Sequence, residues 1–529
     1  MKSNSLWLAI VGLSLLAIPA TATVRYVNVN NTSPASPYTN WVTAATNIQS
    51  ASDSAVPGDL VLVTNGVYAT GTSSAVSGLT RVAIKESITV QSVNGPGVTI
   101  IKGYQEPGIT NGFKSVRCVY LPSGSTISGF TLTNGSTASV GGGIRCKSYD
   151  SIVTNCIITG NSASGSGGGG CNGTYINCTI SGNTSFTNGG GLDLSLGVAT
   201  NCAIIGNRAK FGAGIYEGVV NNSLISSNRA SVYGGGAYSN TLNNCIIRSN
   251  STVIAGGGAI YSILNNCLLT GNFAGGGGGG GGGGASSSTL SNCTIVGNIA
   301  TAGGGGTESS TLKNCINYYN IGGLGDDNSG DGILNYCCTI PLPVSGAANF
   351  TNAPAFVDLA NGDFHLQTNS PCINAGNNAY VTITNDLDGN PRIIGGTVDM
   401  GAYECQSPAL FAYYTWLQNY SLPTDAALVY SDSDHDGMNN WQEWHTGTIP
   451  NDPASLLKML TPTNDISGRT ITWQSVSGMN YFIQRRGDLG AQPHFSTIQS
   501  NILGQAGTTS YLDTNAVGPG PYFYRVGVQ

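Results

Sequence analysis

The chain has 529 residues, of which only 9% are charged, 40% are hydrophobic and 77 are glycine. A formal charge of −6 supplies none of the basic clusters that nucleic acid requires, so nucleic acid is excluded as a main partner. So little charge with so much apolar content also excludes a disordered polar tract, and it suits stacked β-structure with many tight turns.

Residues 1–22 read as a secretory leader. Lys2 gives the positive end, Leu6 to Ile18 an apolar stretch too short to span a bilayer, and Ala20-Thr21-Ala22 a small-x-small cleavage site. Export is therefore expected. The mature chain would be a monomer, secreted or on the exterior of the cell envelope, with no transmembrane segment. From Thr23 to about Lys102, the strings YVNVN, LVLVTNGVY and ITVQS are strand-like, and AATNIQSASDSA suits a short capping helix. This stretch opens a repeat array, whose first unit must shield the core and so departs from the repeat.

Within the array, Asn-Cys recurs with cysteines at 156, 178, 202, 245, 267, 293 and 315, and Ser223 fills the gap in the series. The spacings are 22, 24, 21, 22, 22, 26 and 22. Five residues after each stands an asparagine: Asn161, Asn183, Asn207, Asn228, Asn250, Asn272, Asn298 and Asn320. Two residues after each stands Ile or Leu, broken only at Asn317, while the residue between the two fixed positions varies. Alternation of period two with one constant face is a half-buried strand, not an amphipathic helix. Stacked units would share one core at about 4.8 Å per coil, with the asparagines forming an amide ladder. Glycine runs such as Gly141-Gly142-Gly143 and Gly234-Gly235-Gly236 mark corners, and Gly275 to Gly284 reads as a floppy excursion.

The strings GGGI at 141, GGGA at 234 and GGGAI at 256, followed by TGN, SSN, RSN or SGN turns, carry a resemblance. From about residue 126 to 340 the chain resembles right-handed β-helix proteins of the pectate-lyase-like class, and polymorphic outer-membrane and adhesin repeats. That resemblance implies a right-handed parallel β-helix over 23–345.

Of the 14 cysteines, those in the repeat register are read as inward packing groups, because Ser223 substitutes for one of them. Cys118, Cys146, Cys171, Cys337, Cys338, Cys372 and Cys405 fall off that register or beyond the regular part, and Cys372 with Cys405 is the favoured disulfide pair.

Residues 346–406 contain GDFHL, SPCINAG, DLDGNPR and VDMGAYE. These blocks resemble the choice-of-anchor module that closes many exported bacterial β-helix proteins. Its acids, Asp363, Asp386, Asp388, Asp399 and Glu404 with Arg392, are read as a buried ion-pair and turn network rather than a cleavage site.

Residues 407–459 form a helical linker with an acidic loop. Asp432, Asp434 and Asp436 take positions 1, 3 and 5 of an EF-hand-type string, Gly437 position 6, Asn440 position 9 and Glu443 position 12. Met438 would add its backbone carbonyl. Calcium takes six to eight hard oxygen ligands, so a structural calcium ion is the expected cofactor. The loop resembles thrombospondin type 3 and dockerin-like calcium loops, with Ile449 replacing an aspartate and Asp452 able to substitute. Residues 460–529 show short alternating strands, read as a small β-sandwich. PYFYRVGV there resembles the last strand of fibronectin type III-like modules.

The expected fold class is all-β: a right-handed parallel β-helix solenoid, a calcium-loop linker and a small C-terminal β-sandwich. Two functions compete. One is a non-catalytic secreted or cell-surface scaffold, adhesin-like, with a structural calcium site and extracellular polysaccharide or cell-surface components as partners. The alternative is a polysaccharide lyase or glycoside hydrolase. Between residues 139 and 322 the only acids are Asp150, Asp193, Glu217 and Glu308, and histidine is absent, which favours the first. Asp326, Asp327 and Asp331 are the strongest catalytic alternative, and no residue is assigned as catalytic.

Overall fold

In each coil the asparagine of the Asn-Cys pair adopts the left-handed conformation, as at Asn155 (φ 51°), Asn177 (53°) and Asn244 (51°). Asparagine tolerates this region better than other residues that carry a side chain, so it turns the chain sharply between two short strands. A second left-handed residue, Gly160, Gly182, Gly206, Ser227 or Ser249, ends the next strand one position before the ladder asparagine.

A computed structural model of the chain describes residues 22–74, 78–277, 281–323, 328–394, 396–424, 431–487 and 495–529. The leader proposed at 1–22 therefore falls almost wholly outside the described residues. The chain divides into two compact units, one ending at Val219 and the other beginning at Val220. Both are built on coils of a parallel β-solenoid of the right-handed type.

In the N-terminal unit, helix α1 (Ile48–Asp53) is capped by Asn47, whose side chain accepts from the Ser50 N–H. One wall stacks Val24–Val27, Leu60–Val63, Thr89–Ser92, Thr126–Ser128 and Ile152–Thr154 in parallel register. A second wall stacks Gly66–Tyr68, Thr99–Lys102, Thr131–Thr133, Ile157–Thr159, Thr179–Ser181 and Ala203–Ile205. Its inward residues Ile101, Leu132, Ile158, Ile180 and Ile204 form a buried column. A third wall of short strands joins Ser136–Thr137, Ser162–Ala163, Thr184–Ser185 and Arg208–Phe211.

The C-terminal unit repeats the arrangement, with Ile225, Ile247, Leu269 and Ile295 in an inward column of its own. Asn317 follows them. Its side chain is buried and donates to Thr307 Oγ1 and the Asn328 carbonyl, so a polar group ends the aliphatic stack with its partners satisfied.

Glycine is required at the corners because the backbones of successive coils meet there. A Cβ on Gly235 would lie 2.4 Å from the Gly257 carbonyl oxygen, and one on Gly283 2.4 Å from that of Gly305. Part of the expected floppy glycine excursion is therefore an ordered corner: Gly282, Gly283 and Gly284 stack under the next coil. Gly278, Gly279 and Gly280 lie outside the described residues.

The asparagines form the expected ladder within each unit. Asn161 Nδ2 donates to Asn183 Oδ1 (3.0 Å), and Asn183 to Asn207 (3.0 Å). Asn228, Asn250, Asn272, Asn298 and Asn320 continue in the same sense at 2.9–3.0 Å in the second unit. Asn161, Asn183, Asn207, Asn250, Asn272, Asn298 and Asn320 also donate to a backbone carbonyl, as Asn272 does to Ile247. These amides are buried and fully engaged, which removes them as ligand-binding groups.

The cysteines of the repeat are buried thiols that donate to the carbonyl two residues back, as Cys267 does to Asn265 (3.3 Å). Ser223 makes the same bond to Asn221 (2.7 Å), which explains the exchange. Cys337 makes it too, to Asn335, and so extends the register by one coil. All 14 cysteines are free. Cys372, expected opposite Cys405, instead contacts Cys338; burial first, and then that contact, pushes its thiol well above the ordinary range.

Beyond the coils, Phe356–Asp358 and Asp363–Leu366 form an antiparallel hairpin. The C-terminal β-domain has two three-stranded antiparallel sheets packed around Ile471, Trp473, Tyr481 and Ile483. Among the described residues no helix is long and apolar enough to cross a membrane.

Candidate metal centre

The acidic loop ends in helix α3 (Asn440–Thr446). Its start is fixed by reciprocal bonds: the Asn439 side chain accepts from the Gln442 N–H, and the Gln442 side chain from the Asn439 N–H. Gly447, at φ 73°, stops it. Helix formation thus carries Asn440 and Glu443 inward on one face, where both are fully buried. Ahead of it the chain turns at Gly437 (φ 99°), where a Cβ would meet no neighbour. Glycine is needed there for its backbone conformation.

This turn brings Asp432, Asp434 and Asp436 together, with one carboxylate oxygen of each within 4.8 Å of the others. Asp432 accepts from the His435 and Gly437 N–H groups (2.7 and 2.9 Å), and Asp436 from that of Met438 (2.7 Å). Asp434 Oδ1 accepts from the Asp436 N–H (3.3 Å). Asp434 Oδ2, Asp436 Oδ2, Asn440 Oδ1 and both oxygens of Glu443 are buried without a hydrogen bond. Burial first, and then Asp434, Asp436 and Asp432, pushes the Glu443 carboxyl up to about 8. Asp434 is raised by burial and then by Asp436.

Unpaired buried acceptors of one sign are destabilising unless a cation meets them. The donor set is entirely oxygen, which fits a hard divalent ion. Asp452, the candidate to substitute for the aspartate missing at Ile449, accepts from the Ala454 N–H in its own turn.

Helix α3 is tied to helix α2 (Pro408–Asn419) through rings. Tyr413 lies 4.9 Å from Trp441 and 5.2 Å from Trp444, centroid to centroid. Tyr413 belongs to the buried cluster that includes Ile316, Phe356, Phe364 and Cys372, so the acidic loop is anchored to the last coils and the hairpin.

No family model and no curated protein matches the chain. Solved structures do. A pectate lyase, Pel9A, is 16% identical over 73% of this chain and 97% of its own, with a TM-score of 0.42. XylC, solved in complex with xylose, is 9% identical over 73% and 99%, with a TM-score of 0.40. A rhamnogalacturonan lyase is 13% identical over 64% and 92%, with a TM-score of 0.32.

The acids of segment 346–406 divide into two groups. Asp386, Asp399 and Glu404 are buried and accept from backbone N–H groups: Asp386 from Asn390 and Glu404, Asp399 from Asn374 and Cys405, and Glu404 from Ile394 and Asp399. Burial raises the Asp399 and Glu404 carboxyls. Arg392, also buried, donates to the carbonyls of Asp399 and Gly401. Among the described residues no ion pair joins it to these acids, so the expected ion-pair network is instead a set of carboxylates that fasten loops. Asp363, half-buried, and Asp388, exposed, flank His365, whose Nδ1 lies 2.5 Å from Asp363 and Nε2 2.6 Å from Asp388. Sequence reasoning missed this bridge, since Asp388 is 23 residues away in the chain.

Of the acids on the coils, Asp193 is nearly buried and accepts from Ser195, while Glu308 accepts from the Gly304 N–H. Asp150 and Asp331 are exposed. Asp326 and Asp327 lie outside the described residues.

Proposed function

We propose that the chain is a non-catalytic, adhesin-like scaffold working outside the cytoplasm, clamped near its C-terminus by a structural calcium ion. Asp432, Asp434, Asp436, Asn440 and Glu443 would hold the ion through side-chain oxygens and Met438 through its carbonyl. Residues 1–22 would be removed on export, and segment 346–406 would close the β-helix in the manner of a choice-of-anchor module. The observation that carries the reading is the group of buried Asp434, Asp436, Asn440 and Glu443 oxygens without partners, converging on one turn. The ring contacts from Trp441 and Trp444 to Tyr413 make a clamp at this point a brace for the whole C-terminal unit.

Calcium titration followed by tryptophan fluorescence and thermal unfolding tests it. At calcium one hundred times its dissociation constant, linkage predicts about 2.7 kcal/mol of stabilisation. Chelation should remove the gain, and Asp432→Ala and Glu443→Gln should abolish it. A calcium-independent melt, or an unchanged response in both variants, would defeat the clamp. Release of reducing ends from any polysaccharide by the purified chain would replace the scaffold by the enzymatic alternative.

A further inference from the structure

On the N-terminal unit, the outward residues of the third wall form a column of Ser136, Ser162, Thr184 and Arg208 in parallel register. A loop from Tyr104 to Ser115 is fastened over it at two points. Gln105 Nε2 donates to the Gly160 carbonyl (2.8 Å), and Ser136 Oγ donates to the Thr110 carbonyl (2.7 Å) and to Asn111 Oδ1 (2.5 Å). Between loop and wall lies an open cleft of about 480 Å³. That size is ordinary for a small-molecule site.

The cleft has a consistent chemistry. None of its lining residues is charged. Gly160 and Gly182 leave the floor level, and a Cβ on Gly182 would meet nothing within 4 Å. Among the described residues, Gln105 Oε1, Asn111 Nδ2, Thr110 Oγ1 and Thr184 Oγ1 make no hydrogen bond to protein, so the lining offers both donors and acceptors. Thr110 is a β-branched residue held at φ 41°, a conformation such residues avoid. At the rim Phe186 leaves 79% of its surface in solvent, where one ring of that size is costly to display.

A ring face is negative and attracts weakly positive C–H groups, while side-chain amides and hydroxyls match a ligand dense in hydroxyls. An anionic ligand would find no cation inside, and a peptide strand would find no free edge on the strands that line the cleft, since Ser162–Ala163 and Thr184–Ser185 are each paired on both sides. We propose that this cleft binds an uncharged oligosaccharide, with one pyranose ring stacked on Phe186 and its hydroxyls paired with Gln105, Asn111 and Thr184. This goes beyond the calcium-clamped scaffold and uses none of the calcium residues.

The test is calorimetric titration of the full chain, with calcium present throughout, against xylohexaose, cellohexaose and mannohexaose, and against hexagalacturonate as the acidic comparison. At least one uncharged probe should bind saturably, and Phe186→Ala should weaken it tenfold or more. Gly182→Asn, which tolerates the left-handed backbone and sets a side chain over the floor, should weaken it as much, and it serves if the first variant folds poorly. The proposal is overturned if no uncharged probe binds, if both variants bind as the parent does, or if only hexagalacturonate binds, which would implicate Arg208 and Lys210 beside the cleft. Loss of the calcium response with sugar binding intact would refute the clamp and leave this site standing.

Discussion

Each ladder asparagine serves its neighbours on both sides, so its removal leaves groups unpaired that cannot reach water. Replacing Asn272 would strip the acceptor from the Asn250 backbone N–H and side chain, and the donor from the Ile247 carbonyl. Asn272→Ala should cost on the order of 3 kcal/mol, as expected for more than one orphaned buried group. Cys245→Ser should change stability by less than about 1 kcal/mol, because a serine hydroxyl can make the thiol's bond to Asn243. Urea unfolding midpoints, with hydrogen exchange at the Asn250 amide, would separate the two. The sequence displayed the ladder position plainly through strict recurrence. It hid the role of the asparagine before each cysteine, because a left-handed turn residue and a solvent-facing polar residue look alike in a string. Tyr336, left-handed at φ 54° ahead of Cys337, shows that the conformation is imposed by the coil and only favoured by asparagine.

At the level of elements, the hairpin strand Asp363–Leu366 is joined to the 384–390 turn by His365. Burial opposes the charged imidazole, but Asp388 and Asp363 outweigh it and raise the group above its ordinary value. The histidine contribution is therefore complete below about pH 6.5 and disappears as pH rises through the higher folded value. Asp363, held low by its bond to His365, limits the bridge at the acid end, where protonation breaks it. The difference in melting temperature between the parent and His365→Gln should be largest near about pH 5.5 and shrink towards about pH 9. A constant difference would mean that the ring acts by packing on Tyr403, 4.3 Å away. The repeating coil was legible beforehand from its period, and helix α1 and the acidic loop before α3 from their local strings. Segment 346–406 has no period, so its blocks suggested a module without revealing that its acids cap backbone N–H groups.

Across the whole molecule, the acidic loop was the part of the site most open to reading, since five of its ligands occupy alternate positions and the sixth follows within one helical turn. The neutral cleft was not, because Gln105 and Thr184 are brought together only by stacking. The coil itself has a further consequence. Every rung from Asn228 to Asn320 donates in one direction, and several neighbouring coils are offset by 22 residues. Removing Cys245 through Asn266 would join Asn244 to Cys267 and set Asn228 against Asn272 with the same partners. The shortened protein should fold, with its circular dichroism per residue unchanged. Misaligned recombination between such copies would therefore yield viable chains, so the number of turns can drift between generations while both ends keep their caps.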